Sequence, residues 1–293
     1  MFPKSLSPSR ASDFVQCPLL YRLRTIDQVP ETPSSAAIRG TLVHSVLENI
    51  FDLPAGHRTV RMARSLFKDE VTRMATERPI ELEVLLGKKV EQSSMDEYTD
   101  RALESVTPLL ETYFAMEDPN RLEPHAREMA LSVDIDEGFA IRGFIDRVDK
   151  NPDGDIRVVD YKTGKSPGER YAEKAMFQMR FYALAWWRLT ETIPRMLQLI
   201  YLGDGRFLRY QPEAADLLAT EKRILAIRSA ISRSAENGLF PPAPGKLCSW
   251  CSFKPICPAH GGTPPLLPDI ETWSSGSSLV EEALRQVTSP ESE

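Results

Sequence analysis

The sequence predicts an α/β protein of the α+β kind, in which a mostly helical first part precedes a mixed sheet. Three observations support this prediction. Apolar residues recur at helical spacing over roughly the first 120 residues, then alternate with polar residues through three consecutive segments, and then return to helical spacing on either side of one further strand pattern. The predicted core order is therefore helix, three strands, helix, strand.

The first part of the chain carries clear helix signals. Ser7 followed by Pro8 is typical of a helix start, with Ser as the N-cap and Pro in the first turn, and Pro18 interrupts that helix. From Ala36 onward one apolar stripe predicts a second helix, and His44 lies well off the centre of that stripe. Amphipathic patterns predict two more helices, near 58–78 and 95–117.

The sheet is predicted from alternating segments and the turns between them. A turn at Glu137-Gly138 joins the first two strands, and the Pro- and Asp-rich NPDGD segment predicts a hairpin before the third. The predicted strands are REMALSVDI (127–135), FAIRGFIDRVD (139–149), IRVVDYK (156–162), MLQLIYL (196–202) and RFLRY (206–210), and the later helices cover 170–189 and 213–237.

Charge and hydropathy exclude some classes of protein. The net charge is −6, but residues 269–293 carry six acids and one base, so this segment holds −5 of it and the remainder is close to neutral. A near-neutral body can still present a basic groove to nucleic acid. No apolar run reaches the roughly 18 residues of a membrane helix, and the N-terminus has no apolar signal region, so we expect a cytoplasmic protein without membrane contact.

The chemistry is concentrated in the third predicted strand. Asp160 and Lys162 share one face of that strand, about 7 Å apart at their Cα atoms. The preceding hairpin can place Asp146 beside Asp160, and two close carboxylates repel each other unless a divalent cation such as Mg²⁺ or Mn²⁺ binds. Lys162 can then assist an attacking water or stabilise phosphodiester charge. An ordinary surface salt bridge is the alternative for an isolated Asp-x-Lys pair.

The segments GFIDRVD (143–149) and VVDYKTG (158–164) resemble motifs II and III of the RecB-type branch of the PD-(D/E)XK nuclease superfamily. This resemblance implies a restriction-endonuclease-like mixed sheet, in agreement with the predicted core order. RGTLVH (39–44) resembles motif I of that branch, which implies His44 as a metal ligand. The resemblance also implies that the backbone carbonyl of Tyr161 binds the ion.

The helix after the third strand carries Gln178 and Tyr182 four residues apart, and therefore on one face. They match the Gln-x-x-x-Tyr motif of the same branch, which implies contact with substrate near the metal. An ordinary helix face is the alternative. Glu128 matches an acidic position that is common on the first strand, and the resemblance places it behind the direct ligands.

Three of the four cysteines form a C-x2-C-x5-C cluster, and the fourth lies far upstream. Four cysteines suit either zinc or an iron–sulfur cluster. RecB-type nucleases of the AddB type and CRISPR-adaptation exonucleases share this pattern, and the resemblance implies a 4Fe–4S cluster that staples the N-terminal helix to the C-terminal segment. Its ligands would be Cys17, Cys248, Cys251 and Cys257.

The resemblance extends over about residues 5–260 and leads us to expect one domain, 1–262. Within it, a helical part (1–120) precedes a nuclease core (121–240) and a cysteine cluster (241–260), and an acidic disordered tail follows (263–293), with a short helix at 279–287. Basic residues near the first motif could line a phosphate track: Arg10, Arg22, Arg24 and Arg39. Aromatic residues could stack bases or fill the core, and for the two tryptophans we expect the core: Tyr21, Tyr182, Trp186 and Trp187.

The sequence therefore predicts a metal-dependent DNA exonuclease of repair or end processing, with single-stranded DNA or DNA ends as substrate. No P-loop motif is present, so DNA unwinding would need a helicase partner protein. Two alternatives stay open. One is a DNA-binding subunit of a helicase–nuclease complex without catalysis, and the other is a zinc-containing nuclease that acts on RNA.

Overall fold

A mixed β-sheet with helices on both faces organises the computed structural model, which describes residues 3–87 and 95–268. The strands are β1 (Ser5–Leu6), β2 (Ala126–Asp136), β3 (Phe139–Lys150), β4 (Ile156–Lys162), β5 (Met196–Tyr201) and β6 (Arg206–Tyr210). The helices are α1 (Pro8–Gln16), α2 (Pro18–Tyr21), α3 (Ser35–Asn49), α4 (Val60–Glu77), α5 (Pro79–Leu86), α6 (Met95–Met116), α7 (Glu169–Thr190) and α8 (Ala214–Glu236). The predicted mixed α/β class and the order of the core elements are confirmed.

The sequence patterns missed several short elements. Strand β1 has only two residues, too few for any alternation to show. Pro18 does separate two helices, but it also occupies the first turn of α2, and a π-helical turn at Arg22–Ile26 follows directly. Helix α5 begins at Pro79 right after α4 and shows little amphipathic character. The short helix predicted at 279–287 and most of the predicted acidic tail lie outside the described residues.

The two edges of β3 are paired very differently. Along one edge β3 pairs antiparallel with β2 from Phe139 to Val148. Along the other edge, β1 pairs with Ala140 and Ile141, whereas β4 pairs only with residues 147–150. Between these two ladders, residues 142–146 have no strand partner on that edge among the residues that the structure describes. We call this opening between β3 and β4 the fork.

Two apolar cores lie on opposite faces of the sheet. Helices α1, α7 and α8 pack on one face, where Phe181 and Ile224 are fully buried. Helices α3 to α6 pack on the other face against Val159, Tyr161 and Ile200 of β4 and β5. Trp186 is buried in the first core, as expected, and Trp187 packs at its margin. None of the helices in the described ranges combines the length and the apolar character that crossing a bilayer requires.

A buried ion cluster joins α6 and the residue that follows it to the sheet beneath the second core. The Arg147 side chain is 1% exposed and lies 2.8 Å from Glu117 and 3.0 Å from Asp149. It also donates hydrogen bonds to the hydroxyls of Tyr161 (2.6 Å) and Tyr113 (3.4 Å). Because the cation has both carboxylates and hydroxyls around it, its burial is compensated on several sides.

We expect Arg147→Met to lower the free energy of unfolding by about 3–5 kcal/mol, because Glu117 and Asp149 would lose their buried partner and keep only Arg157, which is partly exposed. Urea denaturation followed by far-UV circular dichroism would measure this loss. Arg73→Met is the matched control, since Arg73 is half exposed and pairs with Glu70 and Glu77 on its own helix. It should cost at most about 1 kcal/mol, and equal losses in the two variants would contradict a structural role for the cluster.

Candidate metal centre

The candidate site lies where β3 leaves β4. There the backbone N–H of Tyr161 donates a hydrogen bond to Oδ2 of Asp146 at 2.7 Å. The carboxylate thus replaces the backbone carbonyl that a paired strand would offer to this N–H. His44, from α3, contacts both of these residues. Its Nδ1 is 3.4 Å from Asp146 Oδ2, and its Nε2 is 3.0 Å from the Tyr161 carbonyl oxygen. The structure thus gathers three of the predicted ligand groups around the backbone of one residue.

Glu128 joins this group more closely than the sequence suggests. In the described part of the chain, the carboxylate and imidazole atoms of His44, Glu128 and Asp146 form the one set of three that all lie within 4.8 Å of one another. Glu128 is opposite Asp146 on β2, and its φ of 41° is left-handed. A non-glycine residue in that conformation stores on the order of 1–3 kcal/mol of strain, which is typical of functional sites.

Asp160 lies outside that close set and heads a second group of polar side chains. Lys162 Nζ is 2.7 Å from Asp160 Oδ2 and donates to Gln178 Oε1 at 3.1 Å. The Gln178 amide in turn donates to Asp160 Oδ1 at 2.8 Å and to the Tyr182 hydroxyl at 3.1 Å. The Tyr182 ring fits only because residue 143 is glycine, since a Cβ there would lie 2.6 Å from the ring.

The electrostatics of the centre favour a bound cation. Burial, together with the charge of Asp146, raises the pKa of Asp160 above its ordinary value despite the attraction of Lys162. Burial and the charges of Asp146 and Glu48 raise the pKa of Glu128 to about 7. Burial lowers the pKa of His44, but its hydrogen bond to Asp146 and the charge of that carboxylate outweigh the burial and raise the pKa overall. The carboxylates therefore lie close together at an electrostatic cost that a divalent ion would remove.

The donor atoms also fit the ions that prefer oxygen ligands. Adjacent ligands of an octahedral ion bound at about 2.1 Å are about 3.0 Å apart, which matches the separation of His44 Nε2 and the Tyr161 carbonyl oxygen. Carboxylate and carbonyl oxygens suit Mg²⁺ and Mn²⁺. In addition, Asp160 Oδ2 is buried and makes no hydrogen bond of good geometry, although Lys162 is close to it.

A groove of about 1010 Å³ runs along the fork and reaches the centre at Asp146, Gln178 and Tyr182. Of the arginines predicted to form a phosphate track, Arg10 and Arg24 line this groove. Arg22 is buried against Asp27 and Arg39 is absent from the lining, so the structure places neither at the groove. Tyr21 is likewise only 1% exposed, because it packs in the core.

The four cysteines line one cavity of about 320 Å³, together with Leu20 and Phe253. All four are unpaired thiols and partly buried. Cys17 Sγ accepts the backbone N–H of Ala243 at 3.4 Å, so the distant cysteine does reach the C-terminal segment. No three of the sulfur atoms lie within 4.8 Å of one another, and a compact thiolate set is therefore not formed.

A mixed sheet that carries two aspartates and a lysine where two strands separate, with a histidine from a neighbouring helix, is typical of metal-dependent nucleases. The sequence matches the PD-(D/E)XK nuclease superfamily over residues 5–258, and the chain belongs to that superfamily. Membership suggests a metal-dependent nuclease that uses Mg²⁺ or Mn²⁺. The RecB-type branch and the likeness to AddB-type subunits stay predictions.

Two phage proteins resemble the chain. The gene 69 protein of Mycobacterium phage D29 is 30% identical over 196 residues, which cover 61% of this chain and 67% of the phage protein. The gene 69 protein of Mycobacterium phage L5 is 26% identical over 285 residues, which cover 86% and 95%. Among solved structures, the crystal structure of SSO0001 covers 89% of this chain and 88% of its own, with 15% identity and a TM-score of 0.39.

The raised pKa of Glu128 predicts how the metal-free protein responds to pH. The folded state holds this proton up to about pH 7, whereas an unfolded glutamate releases it near pH 4.3. Its contribution to stability is therefore fully present below about pH 4.3 and is lost as the pH rises through 7. We expect Glu128→Gln to raise the melting temperature in EDTA at pH 8, and to change it little at pH 5.

Differential scanning fluorimetry of the two proteins between pH 5 and 8 would measure this effect. Adding Mn²⁺ at pH 8 should make the melting temperature of the wild-type protein higher than that of Glu128→Gln, because the Glu128 carboxylate gains a counter-ion that glutamine cannot bind as well. Glu123→Gln is a suitable control, since Glu123 is mostly exposed where it meets Arg58. If the difference in melting temperature between Glu128→Gln and wild type does not vary with pH, the raised pKa of Glu128 is wrong.

Proposed function

We propose that the protein is a metal-dependent deoxyribonuclease, and that it removes nucleotides from single-stranded DNA or DNA ends during repair or end processing. The observation that carries the proposal is that Asp146, with His44 and the Tyr161 amide against its carboxylate, lies at the inner end of a groove that basic side chains line. Gln178, which also lines this groove, contacts both Asp160 and Lys162. Superfamily membership supports the nuclease chemistry. The choice of DNA, of single strands and of ends is our proposal.

The side chains of the site have two proposed roles, which are to bind the ion and to stabilise charge on the phosphate. Asp146, Glu128, His44 and the Tyr161 carbonyl would hold the ion, with Asp160 facing it from β4. When bound, a divalent ion polarises a phosphoryl oxygen and lowers the pKa of a bound water. The Lys162 ammonium is about one-third exposed and lies against a buried carboxylate, so it can orient a water at the groove and stabilise charge on the phosphate.

Gln178 and Tyr182 keep that ammonium in place. Gln178 accepts from Lys162 and donates to Asp160, so it fixes the separation of the two charged groups. Burial raises the pKa of Tyr182 far above its ordinary value, so its hydroxyl stays protonated and can donate to a phosphate oxygen. Both residues line the groove, which supports a role in positioning the substrate strand.

We further propose that the cysteine cavity holds a 4Fe–4S cluster. In a tetrahedral zinc site with Zn–S bonds of about 2.3 Å, the sulfur atoms would lie about 3.8 Å apart. The four cysteines line one cavity, but no three of their sulfur atoms lie within 4.8 Å of one another, so the support for the proposal comes from the sequence pattern and not from the spacing of the thiols. The Cys17-Pro18 and Cys257-Pro258 dipeptides are also typical of ferredoxin ligands.

With Mn²⁺, we expect the wild-type protein to shorten a labelled single strand, and EDTA to abolish this activity. Asp160→Asn removes a negative charge that would attract the ion, and Lys162→Met removes a positive charge that would stabilise the reacting phosphate. Each substitution should therefore lower the rate by roughly 10²–10³-fold. Gel electrophoresis of end-labelled DNA would measure the rates. Lys150→Met, a change of an exposed lysine at the far end of β3, serves as the control and should leave the rate unchanged.

If wild type and Asp160→Asn give the same residual cleavage, the activity belongs to a contaminant. Specific DNA binding without cleavage would then favour the alternative of a DNA-binding subunit inside a larger complex. Products that shorten stepwise from one terminus support an exonuclease, whereas immediate internal fragments, or equal cleavage of RNA, contradict that part of the proposal.

Protein purified without oxygen should be brown and contain about four iron atoms per chain if the cluster is present. Cys248→Ala should lose the colour and lower the melting temperature, because the cluster joins distant parts of the chain. Ser249→Ala, which removes only an exposed hydroxyl in the same segment, should keep both. A colourless protein with one zinc ion per chain would overturn the iron assignment.

A further inference from the structure

Phe144 is a large apolar side chain that the fold leaves in water. It is 47% exposed, whereas its neighbours Ile141 and Ile145 on the same strand are fully buried. It belongs to none of the apolar cores of the described residues. Exposed aromatic rings are common on protein surfaces, so the exposure acquires meaning only from its position.

That position is the lining of the fork groove, beside the candidate metal centre. Phe144 lies two residues before Asp146, and Arg142 lies two residues before Phe144. All three line the groove, along the part of β3 that has no strand partner on this edge within the described residues. Residues two apart on a strand are about 6.6–6.8 Å apart. An arginine, an aromatic ring and a metal-binding carboxylate therefore follow one another along the groove.

The groove complements a polyanion in charge. Among its described lining residues, Asp146 is the sole carboxylate, whereas Arg10, Arg142, Lys165 and Lys174 are cationic. Arg24 also lines it and is paired with Asp13 and Glu31, and Arg142 likewise has an interaction partner in the protein. Serine hydroxyls of β1 and α1 supply neutral donors along the facing wall. Positive charge together with an exposed aromatic ring is the combination by which proteins hold single-stranded nucleic acid.

We propose that Phe144 stacks against an unpaired base of the nucleotide next to the phosphate at the metal centre, and that Arg142 binds a neighbouring phosphate. This inference rests on the proposed nuclease function and deepens it, because it names the element that selects single strands. In a duplex the faces of each base are covered by neighbouring bases. The Phe144 ring can therefore stack only where a strand is unpaired or frayed.

Binding of a short fluorescein-labelled single strand, measured by anisotropy in EDTA to prevent cleavage, tests the proposal. Phe144→Leu keeps the apolar character but removes the ring, and should weaken binding roughly 5- to 150-fold, the range for one stacked base. Phe144→Trp should bind as well as wild type or better. Leu189→Ala changes a side chain of equal exposure that is absent from the groove lining, and should have no effect.

A second series replaces one nucleotide at a time by an abasic site. In the wild-type protein, one position near the bound end should weaken binding when its base is missing, whereas in Phe144→Leu the same position should have no further effect. Loss of this difference between the proteins would overturn the stacking assignment, even if cleavage assays support a nuclease. The same weakening on a blunt duplex would also overturn it.

Failure of the proposed function would look different. If the wild-type protein neither binds nor cleaves any single strand, duplex or RNA, the nuclease proposal itself fails, and the assignment of Phe144 falls with it. If it cleaves single strands in Mn²⁺ and Phe144→Leu binds them as tightly as wild type, only the stacking assignment fails. Melting temperatures within a few degrees of wild type would establish that the variants are folded.

Discussion

The hydrogen bond from the Tyr161 amide to the Asp146 carboxylate is the constraint on which the candidate site depends. A strand edge needs partners for its backbone groups, and here a side chain supplies the partner that a neighbouring strand would otherwise provide. The two strands can therefore separate without leaving that amide unsatisfied. Their separation creates the groove and brings the carboxylate to its inner end.

Tyr161 also connects the chemistry to the stability of the fold. Its backbone contacts Asp146 and His44 on one side, and its buried hydroxyl accepts a hydrogen bond from Arg147 on the other. The ring of His44 packs edge-on against the Tyr161 ring, with centroids 5.9 Å apart. The proposed metal ligands are thus fixed to the buried ion cluster around Arg147.

The sequence was sufficient for the long strands and most of the long helices but not for the short elements or the fork. Alternation and turn residues located the long strands because those signals are local. The shared face of Asp160 and Lys162 could also be predicted, because it depends only on their spacing along one strand. By contrast, Glu128 enters the metal centre through a left-handed backbone at a position that reads as ordinary strand. Phe144 is a large apolar residue of a kind often found in cores, and the pairing of β1 and β4 with different parts of β3 leaves its part of the strand open on that edge. Such pairing depends on residues far apart in the chain.

One wall of the groove comes from the start of the chain, and the end of the chain holds that wall in position. The amide of Leu19 donates to Pro241, the Arg22 side chain to the carbonyl of Pro265, and Ser252 contacts Glu31. During translation these partners emerge from the ribosome after every proposed metal ligand. A nascent chain can therefore contain all of the proposed ligands and still lack the contacts that hold this wall of the groove.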